Sequence, residues 1–516
     1  MKNRTKSSAK NAIFGITNQT ISMVLNFLGR TVFIYVLGAE YLGINGLFSD
    51  ILIMLSLAEM GLRTSMAYTF YKPLAENDTV KVAMLTQFYK KVYHTIAVFV
   101  TVVGVSLVPF LDYLVNLDNS IPYLKIYYLF FLGDIVASYF FIYKTSVIEA
   151  DQKKYLITKY QMIVNIVKII FQMGILLFTH NYFLYLSLQI FSTLANNFIV
   201  SKKASQLYPI LNENHGQLEK EERRTIFENM KSMFIFKLST TVLKGTDNIL
   251  MSVLFGTIWV GIYSNYYLVI ASLENFISVI YTSVTASIGN IIAMESPEKR
   301  YEIFQLTKMA SLIITTFTTI CLYMLINDFI YVWLGDTYTI TTIFLGAIIL
   351  NYYLKVVTFP ILSFRQATGL YIQTRYVMLV AAILNIVFSL FMSQLMGISG
   401  ILYASVLAQL VTSFWIEPRL LFNQFFNKET KTYFVSIFIN FLSTAMFITF
   451  FQFIMKNFVV KTWSEFLIKT VIVGIVSLLF TLFFYYRTKD FKILRNKFIY
   501  LIKKNKNKNE DLKSFL

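Results

Sequence analysis

Residues 37–43 read Leu37-Gly38-Ala39-Glu40-Tyr41-Leu42-Gly43, between two apolar segments at 12–37 and 42–70. About 20 apolar residues are enough to cross the hydrocarbon core of a membrane as a helix, and both segments exceed that length. Glycine adopts backbone angles that other residues avoid, so the two glycines predict a tight turn. This stretch is therefore predicted to join two membrane-spanning helices.

The composition extends this interpretation to the whole chain. Hydrophobic residues make up 56% of the 516 residues and charged residues only 14%, whereas soluble proteins carry about 25% charged residues. Cys321 is the single cysteine, and His94, His180 and His215 are far apart in the sequence. These counts exclude a disulfide framework and argue against a metal site, and no cofactor is predicted.

Apolar segments of spanning length recur along the chain and leave no room for a soluble domain. They lie at 12–37, 42–70, 84–111, 121–149, 155–179, 182–204, 229–256, 259–293, 301–327, 338–365, 370–395, 398–420, 432–456 and 463–487. The predicted fold is an all-α polytopic membrane protein with about fourteen transmembrane helices.

The distribution of Lys and Arg predicts the orientation of these helices, because cytoplasmic loops carry an excess of both residues. Neither residue occurs in the turns at 37–42, 179–182, 256–260, 327–338 and 395–398. The alternate connections and the tail are basic, so both termini are predicted to be cytoplasmic. The net charge of +18 is then a topology signal and no indication of nucleic-acid binding. Lys125, Lys456 and Lys461 are exceptions near the predicted outer face.

An internal repeat is visible at an offset of 218 residues. Gly38 and Gly43 recur as Gly256 and Gly261, each pair followed by isoleucine. A second match, 155–160 against 371–376, has nearly the same offset. The repeat predicts two pseudo-symmetric six-helix bundles in parallel orientation plus an extra helix pair, an organisation found in transporters.

The predicted organisation has five parts. They are an N-terminal six-helix bundle at 1–204, a cytoplasmic linker at 205–228, a C-terminal six-helix bundle at 229–425, an extra helix pair at 426–487 and a basic cytoplasmic tail at 488–516. The tail contains a lysine- and asparagine-rich run that is expected to lie near anionic membrane lipids.

Ionisable residues inside apolar segments need an explanation, because each costs about 3 kcal/mol at a helix centre. At 1.5 Å per residue, Arg30 and Asp50 both lie about 12 Å from the outer ends of their helices, so their depth allows a pair between them. Glu59 and Arg63 lie towards the cytoplasmic ends and are assigned to the cytoplasmic mouth, where they can pair at i, i+4. The other deep charges are Asp134, Lys168, Lys244, Asp247, Glu274 and Lys355.

Two interpretations of the deep charges remain open. In the first, they form ion pairs that only fix helix packing. In the second, the cations line a wet cavity whose surplus positive charge binds an anionic headgroup such as a diphosphate, since Arg and Lys bind phosphate oxygens well. The acids Asp50, Asp134, Asp247 and Glu274 then serve as charge partners or as proton or sodium sites.

Several motifs accompany the glycine turns. They are Asn18-Gln19-Thr20 followed by Leu25 and Arg30, Leu57-Ala58-Glu59-Met60-Gly61-Leu62, and Thr246-Asp247-Asn248-Ile249-Leu250 before Phe255-Gly256. With these motifs and its helix arrangement, the chain resembles the Wzx-type polysaccharide transporters of the multidrug/oligosaccharidyl-lipid/polysaccharide exporter superfamily. The resemblance covers essentially the whole chain and implies a MATE-like fold, in which two helical bundles surround a cavity and operate by alternating access.

The resemblance also implies a function. Such a flippase moves undecaprenyl-diphosphate-linked oligosaccharide repeat units, destined for capsule, O-antigen, teichoic-type or other surface polysaccharide, from the inner to the outer leaflet of the bacterial cell membrane. It implies no enzymatic activity, a proton or sodium gradient as the energy source, and a polysaccharide polymerase and glycosyltransferases of the same pathway as partners. Cationic cavity residues bind the diphosphate in such transporters, and the candidates here are Arg30, Lys168, Lys244 and Lys355.

Alternative functions remain open. A multidrug exporter of the same superfamily favours fewer helices and acidic cavities, and a lipid II flippase differs in the sugar that it recognises. A membrane polymerase or glycosyltransferase would instead be an enzyme with a large external loop. The longest predicted outer connections, at 111–121 and 327–338, are too short for such a loop.

Overall fold

A computed structural model provides the structure of the chain. It describes residues 2–56, 66, 69–70, 73–74, 76–116, 121–151, 153–213, 216, 218–368 and 370–496. Within these ranges, side chains are not described at 2–13, 16, 212, 225, 229–244, 280, 282–287, 289–291, 293–294, 371–372 and 375. The chain divides into two compact units, Met1–Ser264 and Asn265–Leu516. The five parts proposed from the sequence stay a prediction.

The described residues are helical throughout most of their length and contain no strand. The helices that begin in the first unit are α1 (Lys2–Leu55), α2 (Thr79–Ser106), α3 (Leu111–Leu114), α4 (Leu124–Tyr139), α5 (Ile142–Ala150), α6 (Lys154–Thr179), α7 (Tyr182–Leu207), α8 (Lys220–Phe255) and α9 (Thr257–Met294). Those of the second unit are α10 (Pro297–Leu334), α11 (Thr342–Val357), α12 (Phe359–Thr368), α13 (Tyr371–Met396), α14 (Ile398–Val411), α15 (Ser413–Leu421), α16 (Lys431–Ile454) and α17 (Trp463–Tyr485).

Many of these helices are long and apolar enough to cross a membrane. Among the described residues nine qualify, or up to eleven when each of two bent pairs counts as one span. The bent pairs are α4 with α5, at 49°, and α11 with α12, at 42°. The predicted spans at 42–70 and 229–256 lie partly outside the described side chains. The predicted all-α, multi-pass membrane architecture is confirmed.

The surface and the interior have the polarity expected of a protein in lipid. Phe178, Phe453 and Phe483 are each more than three-quarters exposed, as suits side chains that face hydrocarbon. Ser311 and Thr316 on α10 are fully buried. Because lipid supplies no hydrogen bonds, polar groups of a spanning helix need partners inside the protein, and the interior is where these side chains lie.

The predicted turn at 37–43 is concentrated in one residue. Gly38 has φ 86° and ψ 180°, while helical residues lie on both sides of it, so α1 is kinked there. Gly256 has φ 100° and ψ 147° and separates α8 from α9 in the same way. Positive φ values are strained for residues with a Cβ atom. The two repeat-related glycines therefore meet the same backbone requirement.

The other two repeat-related glycines allow a reciprocal close contact within the first unit. A Cβ atom on Gly43 would lie 2.2 Å from the carbonyl oxygen of Thr257, and one on Gly261 would lie 2.4 Å from that of Ala39. Thr257 is the repeat equivalent of Ala39, at the offset of 218. The same contact is thus made twice, once from each copy of the repeat, and glycine is what lets the backbones approach so closely.

In the second unit a buried asparagine ties the last two helices to the rest. Asn440 on α16 accepts a hydrogen bond from the Tyr353 hydroxyl on α11 (2.6 Å) and donates to Thr316 on α10 (2.6 Å). Its amide also donates to Tyr485 on α17. Interhelical hydrogen bonds of this kind stabilise helix association in membranes, where hydrophobic burial contributes little. The C-terminal helix pair is therefore integrated into the second unit.

The reciprocal glycine contact predicts a difference between two glycine substitutions. Gly43→Ala places a methyl group against backbone, which cannot move aside, and we expect it to lower the stability by about 1–3 kcal/mol, as for other overpacked sites. Gly174→Ala on α6 is the matched control, because no atom lies within 4 Å of its added Cβ. We expect that variant to be unchanged or slightly more stable. Thermal unfolding of the purified protein measures both, and equal stability of the two variants would contradict the contact.

Candidate functional site

Lys168 lines a polar cavity inside the first unit. The cavity has a volume of about 350 Å³ and is bounded by side chains of α1, α4, α6 and α7. Its lining residues are Asn18, Ser22, Ser138, Gln161, Val164, Asn165, Lys168, Ser192, Thr193, Asn196 and Asn197. All of these side chains except that of Val164 are polar or charged, in a segment of the chain that the sequence places inside a membrane. Such a cavity suits water and a polar or anionic group.

A helix break contributes to this cavity. The bend between α4 and α5 leaves carbonyl groups near its end without their helical partners, and the Asn197 amide donates hydrogen bonds to the carbonyl oxygens of Ala137 (3.3 Å) and Ser138 (2.9 Å). Non-helical backbone at membrane depth is tolerated where side chains satisfy the freed groups. Asn197 therefore stabilises the bend that places Ser138 in the lining.

Lys168, which lines this cavity, has a second sequence-predicted charge, Asp134, near it. Asp134 accepts hydrogen bonds from Thr193 (2.6 Å) and Gln189 (3.2 Å), and it interacts electrostatically with Lys168. Among the described side chains, the Lys168 ammonium has no hydrogen bond or ion pair of its own. The acid is thus held by neutral donors, and the cation keeps its donors for a group in the cavity.

Arg30 and Asp50 have separate partners, so the pairing that their equal depth allowed is not the one that the structure shows. Arg30 on α1 donates to the Ser264 hydroxyl on α9, and Asp50 accepts from the Asn248 amide on α8. Asn248 is the repeat equivalent of Arg30. The two interactions therefore follow the same pattern as the reciprocal glycine contact: one helix from each copy of the repeat reaches across to the other copy. Asp247, next to Asn248, has interactions of its own.

In the second unit, Lys355 and Glu274 form an ion pair between α11 and α9. The Glu274 side chain is only 10% exposed, whereas that of Lys355 is 40% exposed. The carboxylate is therefore enclosed and the ammonium remains accessible. This arrangement leaves donors on Lys355 free to contact a second anion.

Three predicted residues cannot be placed. Glu59 and Arg63, assigned to the cytoplasmic mouth, lie outside the described residues, and so does the side chain of Lys244. Of the remaining candidates, Arg30, Asp50, Asp134, Asp247 and Lys168 belong to the first unit, and Glu274 and Lys355 belong to the second.

Sequence reasoning missed the neutral residues of the site. Gln161, Asn165 and Lys168 recur at the i, i+4, i+7 spacing of one helix face, and this polar stripe was a usable signal for the cavity. The repeat offset pointed to Asn248 as the counterpart of Arg30. Nothing in the sequence pointed to Ser264 as the partner of Arg30, because a lone serine in an apolar helix is unremarkable.

Each unit offers binding groups for polar or anionic ligands. The first unit has Lys168 with the amides and hydroxyls of its cavity, and the second has the partly exposed ammonium of Lys355 beside Glu274. In the part of the chain that the structure describes, no three His, Cys, Asp or Glu side chains are grouped to hold a metal ion.

No protein-family model and no curated protein matches the chain, but solved structures do. The "Lipid II flippase MurJ, inward closed conformation" superposes with a TM-score of 0.66 at 16% sequence identity, covering 92% of this chain and 99% of the flippase. A multidrug resistance MATE family transporter of the MOP superfamily superposes with a TM-score of 0.61 at 13% identity, covering 78% and 97%. The chain has the fold of the MOP-superfamily transporters. The Vibrio cholerae MATE transporter VcmN, in a mutant form, is a further match, at 12% identity and a TM-score of 0.57, covering 83% and 100%.

The MOP fold confirms the MATE-like architecture expected from the sequence. The neighbours are transporters and flippases rather than enzymes. At sequence identities of 12–16%, these neighbours show a shared fold only. The resemblance to the Wzx-type transporters stays a prediction.

The Glu274–Lys355 pair predicts a recoverable loss of stability. Lys355→Met leaves the enclosed Glu274 carboxylate without its partner, and we expect a cost of about 1.5 kcal/mol, at the lower end for hydrogen bonds to charged groups because Lys355 is partly exposed. Combining it with Glu274→Gln removes the stranded charge and restores most of the stability. Thermal unfolding of the single and double variants measures this, and a double variant no more stable than Lys355→Met would contradict the pairing.

Proposed function

We propose that the protein is a flippase that moves undecaprenyl-diphosphate-linked oligosaccharide repeat units from the inner to the outer leaflet of a bacterial cell membrane by alternating access. The repeat units belong to capsule, O-antigen, teichoic-type or another surface polysaccharide. The protein acts as a transporter and not as an enzyme, and both of its termini face the cytoplasm.

The extent of the structural match carries this proposal. The lipid II flippase matches 92% of the chain, whereas the two MATE transporters above match 78% and 83% although nearly all of each transporter is covered. The chain therefore has more in common with the flippase architecture than with that of the drug transporters. Lipid II carries its sugars on a lipid diphosphate, which is also the headgroup of lipid-linked repeat units.

Cations in each of the two units support an anionic substrate. Lys168 keeps its ammonium donors for the cavity, and Lys355 remains 40% exposed beside its acid. Arg30 adds a third positive charge, although its guanidinium already donates to Ser264. A diphosphate has several oxygens that accept from such groups. The amides and hydroxyls around Lys168 suit sugar hydroxyl groups, because both donate and accept hydrogen bonds.

Two alternatives are supported by particular observations. A lipid II flippase is favoured by the match to MurJ and differs from the proposal only in the sugar. A multidrug exporter is favoured by the MATE matches, but the accessible lysines do not suit a cationic drug.

A proton or sodium gradient is proposed to drive transport. The candidate coupling sites are the acids within predicted membrane-spanning segments, Asp50, Asp134, Asp247 and Glu274. Asp134 lies near Lys168 of the polar cavity. A polymerase and glycosyltransferases of the same pathway are the proposed partners, since they would supply and consume the lipid-linked repeat unit.

Replacing Lys168 tests the proposal. The full-length protein is reconstituted into vesicles with a fluorescent undecaprenyl-diphosphate oligosaccharide, and its movement between leaflets is followed by chemical quenching. We expect Lys168→Gln to slow movement of the lipid about tenfold or more, because the variant loses one hydrogen bond between a charged group and the substrate. The fold is expected to survive, because Asp134 keeps its hydrogen bonds from Thr193 and Gln189 when Lys168 is replaced.

Lys159→Gln is the matched control, since Lys159 lies on the same helix and is exposed. It is expected to transport like the unchanged protein. Equal rates for Lys168→Gln and Lys159→Gln would contradict a role for the cavity cation in binding substrate.

A further inference from the structure

A second cavity lies in the second unit, at the end of the helices where α10 leads into the 335–341 connection. Its volume is about 540 Å³, and it is bounded by α10, α11, α16, the 455–461 connection and α17. Three lysines line it, Lys456, Lys461 and Lys469, together with one carboxylate, that of Asp328. Its lining therefore has a positive surplus.

The single carboxylate of this cavity is already neutralised. The Lys469 ammonium lies 2.6 Å from the Asp328 carboxylate, and the Lys469 side chain is only 9% exposed. This enclosed pair joins α17 to α10 and fixes one wall of the cavity. Asp328 is consequently no partner for the other two lysines.

Lys456 and Lys461 are exposed, and their ammonium groups have no hydrogen bond or ion pair among the described residues. Glu465 is a described acid that interacts electrostatically with Lys461. Its carboxylate accepts from the backbone N–H groups of Lys461 (2.7 Å) and Thr462 (2.9 Å), in the cap that starts α17. The two ammonium groups therefore remain available at the cavity.

Aromatic residues indicate the depth of this cavity in the membrane. The Phe329 ring lies 5.4 Å from Trp333, 6.1 Å from Trp463 and 5.7 Å from Phe466 between centroids. Tryptophan is enriched at the level of lipid headgroups, and Phe329 adjoins Asp328 in the chain. The cavity is thus expected at headgroup level.

The remaining walls suit an amphipathic ligand. Met324 and Leu345 are apolar, whereas Gln452 and Tyr331 are polar. The orientation predicted from the sequence makes this the outer surface, where Lys456 and Lys461 depart from the charge bias of the other turns. Lysines on the outer face oppose the usual charge bias of membrane proteins, and binding of an anionic ligand would account for their presence.

We propose that this cavity binds the phosphate group of an anionic membrane lipid. Lys456 and Lys461 contact the phosphate oxygens as point charges, the Lys469–Asp328 pair keeps the wall in place, and the apolar wall contacts the glycerol and the first methylenes. The site is separate from the polar cavity around Lys168, and its existence does not depend on which substrate the protein transports.

Lipid binding by lysine variants tests the proposal. The purified full-length protein is titrated with short-chain phosphatidylglycerol, phosphatidylcholine or glycerol phosphate, and bound molecules are counted by native mass spectrometry. We expect phosphatidylglycerol to bind in preference to phosphatidylcholine. Each lysine near a membrane surface contributes about a fivefold gain in affinity for anionic lipid, so Lys456→Gln with Lys461→Gln is expected to weaken binding about 25-fold.

Two further variants separate a specific site from general charge. Lys456→Arg with Lys461→Arg keeps both charges and is expected to retain binding. Lys125→Gln removes another lysine of the predicted outer face, one that is paired with Asp112 and lies outside the cavity, and is expected to change nothing. The proposal is overturned if the double glutamine variant binds phosphatidylglycerol like the unchanged protein, or if Lys125→Gln weakens binding equally. Displacement of the lipid by an equal concentration of glycerol phosphate would overturn the lipid assignment and identify a site for a soluble phosphate ester instead.

Discussion

The close approach of two backbone segments, Gly43 against Thr257 and Gly261 against Ala39, is the contact on which the first unit depends. Helices in lipid gain little from burying apolar surface against one another, so their association relies on close packing and hydrogen bonds. Glycine at both positions removes the Cβ atoms that would otherwise hold the backbones apart. Hydrogen bonds join the same two copies of the repeat: Arg30 on α1 donates to Ser264 on α9, and Asn248 on α8 donates to Asp50 on α1. The close backbone contact and these hydrogen bonds together hold the two copies against each other.

Polar groups in the interior are organised by the same constraint in both units. Each buried donor or acceptor needs a partner, because the surrounding lipid supplies none. In the second unit, Asn440 meets this need for α16 and α17 at one point. In the first, Asn197 binds the carbonyls that the α4–α5 bend frees, and the bend opens a cavity. The ammonium donors of Lys168 remain available in that cavity, because the neighbouring Asp134 accepts hydrogen bonds from Thr193 and Gln189.

The sequence predicted the parts of the fold that depend on local properties. Apolar length predicts spanning helices, and the matching glycines predicted equivalent breaks between helices, since Gly38 and Gly256 have positive φ angles that few other residues adopt. Pairing between helices was harder to predict. Equal depth suggested Arg30 and Asp50 as partners, but depth along a helix does not determine which face a side chain occupies. The partners Ser264 and Asn248 lie more than 190 residues away in the chain. Only Asn248 was indicated by the repeat, because it lies at the repeat offset from Arg30.

Transport by the unchanged full-length protein is the most direct measurement of the central claim, that the substrate is a lipid-linked oligosaccharide. Vesicles containing the protein are loaded either with a labelled undecaprenyl-diphosphate oligosaccharide in one leaflet or with a cationic dye, under an imposed proton or sodium gradient. The claim predicts gradient-dependent movement of the labelled lipid and no export of the dye. Export of the dye without movement of the lipid would contradict it.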